Sequence, residues 1–206
     1  MPIIDDVSLL PKTRVVIWEI NESVNDLKSN VVLSNDSLKL LNQKKSEIHK
    51  KQFLAIRNIF NFLCVDEKDL RYVKSGKPIF LNKKKISISH SGNYAALIVS
   101  ENNVGIDIEI INDKALKLKS KFLETELNYP LELNKETSLV YWNIKESIFK
   151  AVDKAGIDFK KNILVLPLDM KKNVLKSWYI NDHEIYSFDT RFKISKKYTL
   201  AFVIKN

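Results

Sequence analysis

The apolar positions of the chain fall into short runs typical of strands and a few longer segments with helical spacing. Residues 14–20 are rich in Val, Ile and Trp, which predicts a strand. Residues 46–63 repeat apolar side chains such as Ile56, Ile59 and Phe60 at helical intervals, which predicts a helix. The other predicted elements are strands at residues 85–89, 94–100, 104–111, 163–168, 174–180, 184–189 and 199–204, and helices at residues 114–128 and 136–154.

These helices are inserted among strands that are spaced like antiparallel hairpins. The pattern is typical of an α+β protein and not of a wound parallel sheet. No Pro/Gly-rich linker divides the 206 residues. Gly76, Gly92 and Gly105 are three of the four glycines and cluster near the middle of the chain. Because glycine serves where the backbone turns with positive φ or approaches another group closely, we look for a functional site there.

Composition narrows the class of protein. With 45% hydrophobic and 29% charged residues, the chain has the composition of a globular and not of a disordered protein. The single cysteine excludes an internal disulfide and a cysteine-built zinc site. No apolar stretch reaches the ~20 residues of a membrane span, and residues 1–6 are acidic where a signal peptide would be basic. We therefore expect a soluble cytoplasmic protein with no membrane partner.

The net charge of +9 indicates an anionic partner without identifying it. Basic residues outnumber acidic residues by 16 to 11 in residues 1–103 and by 18 to 14 in residues 104–206, so the excess is spread evenly. A nucleic-acid-binding arm would concentrate its charge, and we therefore expect no nucleic acid partner. Nucleotides, phosphates and acidic proteins remain open.

The predicted strand at residues 104–111 carries two carboxylates on one face. Side chains alternate along a strand, so Asp107 and Glu109 share one face while Ile106 and Ile108 share the other. Two carboxylates this close repel each other unless a cation lies between them, and Mg²⁺ prefers oxygen ligands. The alternative is an ordinary half-exposed strand with a solvated acidic face. The segment by itself does not decide between them.

The predicted helix at residues 136–154 holds a second pair of charges. Glu146 and Lys150 are four residues apart and therefore share a face of the helix. Taken without other information, they form a surface ion pair that contributes little to stability.

Hydroxyl and basic side chains that could bind phosphate lie earlier in the chain. Ser89 and His90 end a predicted strand just before Gly92 and can donate hydrogen bonds. Lys77 lies on a Gly-Lys-Pro turn, and Arg57 lies on the first predicted helix; solvated charge is the alternative for both. A serine-hydrolase site is excluded, because neighbouring strand residues point to opposite faces and no G-x-S-x-G motif is present.

Four motifs, taken in order, resemble those of the 4′-phosphopantetheinyl transferase superfamily, in its larger, surfactin-synthetase-activating type. The resemblance covers about residues 50–156. It implies an α+β fold with a pseudo-twofold pair of similar halves, residues 1–103 and 104–206, antiparallel-rich sheets, and an active site in the cleft between the halves of a monomer. The motifs are Gly76-Lys77-Pro78, Ile86-Ser87-Ile88-Ser89-His90-Ser91, Gly105-Ile106-Asp107-Ile108-Glu109 and Trp142-x-x-Lys145-Glu146-Ser147-x-x-Lys150.

The resemblance also implies a reaction. The family transfers 4′-phosphopantetheine from coenzyme A to a serine hydroxyl of an acyl or peptidyl carrier protein, with Mg²⁺, and releases adenosine 3′,5′-bisphosphate. Glu146 would also be the general base for the carrier serine, directly or through a water. By motif position, Asp107, Glu109 and Glu146 would hold Mg²⁺, Lys150 would contact the same phosphates, and Arg57, Lys77, Ser89, His90 and Lys150 would bind coenzyme A, with His90 on the 3′-phosphate.

The chain departs from the family pattern at a few positions. Ser87 stands where the family commonly has Asn, Ser147 where it has Ala, and Asp153 lies in a stretch where glycines are frequent. Carriers of fatty-acid, polyketide and nonribosomal-peptide biosynthesis all remain open, as do acylated donors and Mn²⁺. The alternative function is a non-catalytic basic module that binds nucleic acid or an acidic protein. That module would bind in a salt-sensitive manner and would not need Asp107.

Overall fold

The computed structural model describes residues 3–10, 12–73, 76–81 and 84–206. The first two residues of the acidic amino-terminal segment lie outside these described residues. The chain divides into two compact units, Met1–Glu101 and Asn102–Asn206. Within the described ranges all strand pairs are antiparallel. The predicted mixture of helices and antiparallel sheets is therefore confirmed, whereas the pseudo-twofold relation of two halves and a cleft site between them stay predictions.

The first unit combines an antiparallel sheet with helices and a separate small hairpin. Its elements are β1 (Ile3–Leu10), β2 (Thr13–Glu19), α1 (Val24–Ser29), α2 (Asn35–Gln43), α3 (Glu47–Phe62), a 3₁₀ helix (Glu67–Asp69), β3 (Leu70–Tyr72), β4 (Pro78–Phe80), β5 (Lys85–Ser91) and β6 (Tyr94–Ser100). The strands of the sheet follow the order β1-β2-β6-β5, and β3 pairs with β4 in the hairpin.

The core of the first unit lies between this sheet and α3. Val16 and Trp18 alternate along β2, Leu97 lies on the neighbouring β6, and all three are buried together with Leu54 and Ile59 of α3. Burying one such side chain contributes about 1.5–3 kcal/mol. This packing fixes β5, which pairs with β6, in the same sheet as the core strands.

The second unit has one long helix on one antiparallel sheet. Its elements are β7 (Val104–Ile110), α4 (Lys114–Phe122), a 3₁₀ helix (Thr125–Asn128), α5 (Lys135–Val152), β8 (Ile163–Val165), β9 (Val174–Ile180), β10 (Ile185–Ile194) and β11 (Tyr198–Lys205). The strand order is β7-β11-β10-β9-β8. Helix α5 begins with a capping box between Asn134 and Thr137 and ends at Asp153, whose φ of 54° is left-handed.

Most predicted elements match observed ones, with two kinds of difference. The single helix predicted at residues 114–128 is interrupted, because α4 ends at Phe122 and a 3₁₀ helix follows. The short elements β1, α1, α2, β3 and β4 were not predicted. Among the described residues, no helix is both long and apolar enough to cross a membrane.

Candidate active site

Helix α5 lies directly against β7, and a glycine makes this close approach possible. A Cβ atom built at Gly105 would lie 1.8 Å from the carbonyl oxygen of Ser147, far inside any allowed contact. The hydroxyl of Ser147, which is fully buried, lies 3.0 Å from the Ala201 carbonyl oxygen on β11. The Asn143 amide donates to the Thr199 carbonyl oxygen at 2.9 Å. These contacts place the next turn of α5 over the acidic segment of β7.

Asp107 is the buried centre of that acidic segment. Its side chain lies on an edge strand yet the residue is only 4% exposed, so the alternative of a solvated acidic face is wrong for Asp107. The ammonium group of Lys150 donates to Asp107 Oδ1 at 2.7 Å and to the Ile106 carbonyl oxygen at 3.0 Å. The predicted metal ligand and the predicted phosphate-binding lysine are therefore in direct contact.

Glu146 on α5 is influenced by the charges of Asp107, Lys150 and Glu109. The pKa of Glu146 is raised to about 7, mainly by burial and also by the charges of Asp107 and Glu109, while Lys150 opposes the increase. Both glutamates are half-buried. The structure therefore shows direct contact between Asp107 and Lys150, while the joint role of Glu109 and Glu146 with this pair stays a prediction.

A second buried ion pair, which the sequence did not reveal, lies on the other side of α5. Lys145 and Glu126 are 0% and 1% exposed in their side chains, and their charged atoms lie 2.8 Å apart. The Lys145 ammonium also donates to the carbonyl oxygens of Phe159 and Ile163. Burial lowers the pKa of Lys145 and the charge of Glu126 opposes that decrease. The motif lysine next to Glu146 is thus anchored inside the second unit.

A basic cleft of about 430 Å³ lies within the first unit. Four lining side chains, His49, Gln52, Phe53 and Ile56, recur at helical spacing along one face of α3. The predicted nucleotide-binding residue His90 lies in the same lining and is exposed. The sequence analysis missed the cleft residues His49 and Lys44, although the spacing along α3 could have indicated His49. The remaining lining residues are Lys44, Arg57, Tyr72, Gly76, Pro78 and Ile88.

Ser89 and Lys77 lie near this cleft along the chain but do not line it. Ser89 is buried, and because strand side chains alternate it points to the face of β5 opposite His90. Lys77 is half-buried, and its carbonyl oxygen accepts a hydrogen bond from the Val73 amide at 3.0 Å. The turn before it contains Gly76 with φ of +83°, a conformation that glycine adopts readily.

Arg57, predicted to bind coenzyme A, lies in the wall of the cleft and is bound to other protein groups. The residue is 4% exposed, and its Nε atom donates to Glu67 Oε1 at 2.9 Å. A second nitrogen donates to Ser37 and to the Tyr72 hydroxyl, both at 3.2 Å. The guanidinium group is therefore engaged on several sides by the first unit itself.

Comparison with known proteins places this chemistry in a family. The 4′-phosphopantetheinyl transferase superfamily matches residues 103–203, which include Asp107, Glu109, Glu146 and Lys150. The second unit of the chain is therefore similar to this superfamily, over just under half of the 206 residues. The chain is also 29% identical, over 110 residues, to the 4′-phosphopantetheinyl transferase gsp of Aneurinibacillus migulanus. That match covers 50% of this chain and 46% of the relative, so the compared region is less than half the relative's length.

Three carboxylates of the second unit have the donor chemistry that a divalent cation requires. Among the described residues, no three His, Cys, Asp or Glu side chains already form a metal-binding group. Asp107, Glu109 and Glu146 nevertheless supply the hard oxygen donors that Mg²⁺ prefers. The pKa of Glu146 is raised mainly by burial and also by the charges of Asp107 and Glu109, and a cation would offset that repulsion. The residues therefore fit Mg²⁺, provided that Lys150 shares Asp107 with the ion.

Proposed function

We propose that this protein transfers 4′-phosphopantetheine from coenzyme A to a serine hydroxyl of an apo carrier protein. The observation that carries the proposal is the contact of Lys150 with Asp107, beside Glu146, in the unit that matches the superfamily. A cationic group against buried carboxylates suits phosphoryl chemistry, in which catalysis is mainly positioning and charge neutralisation. The name of the related enzyme from Aneurinibacillus migulanus supports the same reaction.

In this proposal Asp107, Glu109 and Glu146 hold Mg²⁺, which neutralises charge on the pyrophosphate of coenzyme A. Lys150 contacts the same phosphates and stabilises the leaving group. Glu146 accepts the proton of the carrier serine hydroxyl, directly or through a water. The serine oxygen then forms a bond to the phosphorus that carries the pantetheine arm, and the bond from that phosphorus to the bridging pyrophosphate oxygen breaks. Adenosine 3′,5′-bisphosphate leaves with the electron pair of the broken bond.

The nucleotide end of coenzyme A belongs, in this proposal, to the basic cleft of the first unit. His90, which lines the cleft, would donate to the 3′-phosphate, and Lys77 would reach the same end from the neighbouring turn. Ser89 points to the opposite face of β5 and would not contact it. The cleft is concave and combines apolar side chains such as Phe53 with cationic ones such as Lys44, which suits a purine base that carries phosphate. Action as a monomer in the cytoplasm is part of the same proposal.

The test is a transfer assay followed by mass spectrometry of the carrier. The protein is incubated with coenzyme A, Mg²⁺ and a panel of apo carriers from fatty-acid, polyketide and nonribosomal-peptide biosynthesis. We expect at least one carrier to gain the mass of phosphopantetheine and a chelator to stop the gain. If no carrier gains mass, the alternative of a non-catalytic basic module is favoured. Binding to nucleic acid that weakens as salt increases would then support that alternative.

The matched variant for this assay is Asp107→Ala. Removing a metal ligand that also orders Lys150 should lower transfer by ~100-fold or more. The control is Asp189→Asn, which removes an exposed aspartate that pairs with Lys176 in the same unit. Wild-type turnover in Asp107→Ala would contradict the proposed site.

A further inference from the structure

We propose that Arg57 and Glu67 form a positioning centre that holds the walls of the basic cleft in place, and that Arg57 does not itself contact the ligand. The inference rests on the proposed function, because the ligand of the cleft is taken to be coenzyme A. We call this group the Arg57–Glu67 centre; it comprises Arg57, Glu67, Ser37, Phe53 and Tyr72.

The Arg57 guanidinium is committed to buried partners. The side chains of Arg57 and Glu67 are 4% and 13% exposed and are joined at 2.9 Å. A buried charge is costly unless it is both paired and hydrogen-bonded. Arg57 meets this requirement through Glu67, Ser37 and Tyr72, so withdrawing its charge to meet a phosphate would leave Glu67 buried without its counter-ion.

Glu67 extends the centre to the start of α2. Its Oε2 atom accepts from the Ser34 amide at 3.0 Å, and its Oε1 atom accepts from the Ser37 hydroxyl. Ser34 is the N-cap of α2, and its side chain accepts from the Ser37 amide. A carboxylate at a helix N-terminus is favoured by the helix dipole. The centre thus fixes the start of α2, whose far end leads to the cleft residue Lys44.

The same guanidinium supports two further walls. It lies 3.6 Å from the ring centroid of Phe53, and the Lys44 ammonium lies 5.3 Å from that centroid. Tyr72, which accepts from Arg57, lies on the β3–β4 hairpin beside the cleft. The Arg57 guanidinium therefore contacts α2, α3 and the hairpin. Helix α3 and the hairpin contribute residues that line the cleft, and α2 is followed directly by the lining residue Lys44.

Direct contact and positioning make opposite predictions for ligand discrimination. If Arg57 contacted the 3′-phosphate, its loss would weaken coenzyme A and spare dephospho-coenzyme A, which lacks that group. If Arg57 positions the walls, its loss weakens both donors by the same factor. The cost should then appear in binding and leave the turnover at saturating donor nearly unchanged.

The experiment measures Kd by calorimetry and kcat and KM by transfer for both donors. For Arg57→Gln we expect a Kd about tenfold or more higher for each donor, with kcat within about threefold of wild type. Glu67→Gln should behave alike. The double variant Arg57→Gln/Glu67→Gln should be no more than about twofold weaker than either single variant, because the two side chains act as one unit.

Two further variants keep the test decisive if Arg57→Gln does not fold. Tyr72→Phe removes one acceptor from Arg57 at a partly exposed position and should weaken both donors equally, by about two- to fivefold. Glu101→Gln removes an exposed partner of Lys12 in the same unit and should change nothing.

The possible failures are distinct. A selective loss of coenzyme A in Arg57→Gln, unchanged binding in Tyr72→Phe, or additive effects in the double variant would overturn the positioning role. If wild-type protein binds neither donor, the proposed function itself is wrong.

Discussion

At the scale of single residues, the site depends on how burial changes the behaviour of ordinary carboxylates. Asp107 is buried and stays compatible with the interior because Lys150 contacts it. Glu146 has no comparable protection, and burial together with Asp107 raises its pKa to about 7. Two carboxylates that both feel the charge of Lys150 are therefore suited to different tasks, one to hold charge and the other to exchange a proton.

The pKa of Glu146 leads to a prediction about stability. Because the folded pKa exceeds the unfolded value of about 4.5, the folded state binds the proton more tightly, and the wild type loses stability as pH rises from 4.5 through 7. Glu146→Gln cannot ionise. Without metal, it should match the wild type near pH 4.5 and exceed it by about 2–3 kcal/mol at pH 8. Urea unfolding with chelator at several pH values measures the difference; a constant difference would contradict the assignment.

The role of His90 can be tested with the same pair of donors. If His90 donates to the 3′-phosphate, His90→Ala should weaken coenzyme A by about 1.5–3 kcal/mol relative to dephospho-coenzyme A, as for a hydrogen bond to a charged group. The exposed His183→Ala is the control. Titration calorimetry gives both affinities. If His90→Ala weakens the binding of both donors equally, His90 does not contact the 3′-phosphate.

At the scale of elements, the close packing of α5 on β7 creates the site. The absence of a side chain at Gly105 allows the Ser147 carbonyl to approach the strand. Asn143 and Ser147 then hold the helix on β11. Position 147, where the family commonly has alanine, carries a buried serine whose hydroxyl lies 2.7 Å from the Asn143 carbonyl oxygen of the same helix and 3.0 Å from the Ala201 carbonyl oxygen on β11.

Adding one methyl group at this contact should separate the two elements. In Gly105→Ala the new Cβ would meet the Ser147 carbonyl at 1.8 Å, so α5 must move away from Asp107. We expect a loss of more than ~3 kcal/mol in unfolding free energy, together with most of the transfer activity. Gly156→Ala is the matched control, because its new Cβ meets nothing within 4 Å and only the positive φ is penalised, by ~1 kcal/mol. Thermal unfolding compares the two; similar losses would contradict the packing explanation.

At the scale of the whole molecule, the sequence predicted what depends on local periodicity and missed what depends on distant partners. Strands such as β2, β6 and β7 were found because their apolar residues form clear runs. The elements α2 and β3 were missed because nine and three residues are too few for a helical or strand period to stand out. Lys150 was first paired with Glu146, four residues away, whereas the structure pairs it with Asp107, 43 residues away. Nothing in the sequence indicated that Arg57 pairs with Glu67, because their contact depends on how α3 and the 3₁₀ helix pack.

The net charge of +9 gives a prediction at this scale. If the partner is a carrier protein with acidic residues around its serine, kcat/KM for the carrier should fall roughly tenfold between low and high salt, while kcat changes little. A carrier with those acidic residues neutralised is the control and should show a flatter dependence. Initial rates at several ionic strengths measure both. If kcat/KM falls equally steeply with salt for both carriers, electrostatic attraction to the acidic surface of the carrier is excluded.

The buried pair of Lys145 and Glu126 has a consequence for the rotation of α5 about its own axis. Successive residues of a helix are about 100° apart, so once the Lys145 ammonium is held by Glu126 and by two carbonyl oxygens, the direction of Glu146 is set. Inserting or deleting one residue between Asn143 and Lys150 would turn one end of the helix by that angle relative to the other. Then either Lys145 would no longer point toward Glu126, or the residues of α5 on the other side of the change would no longer point toward Asp107. Changes in chain length should therefore not be tolerated within this stretch of α5.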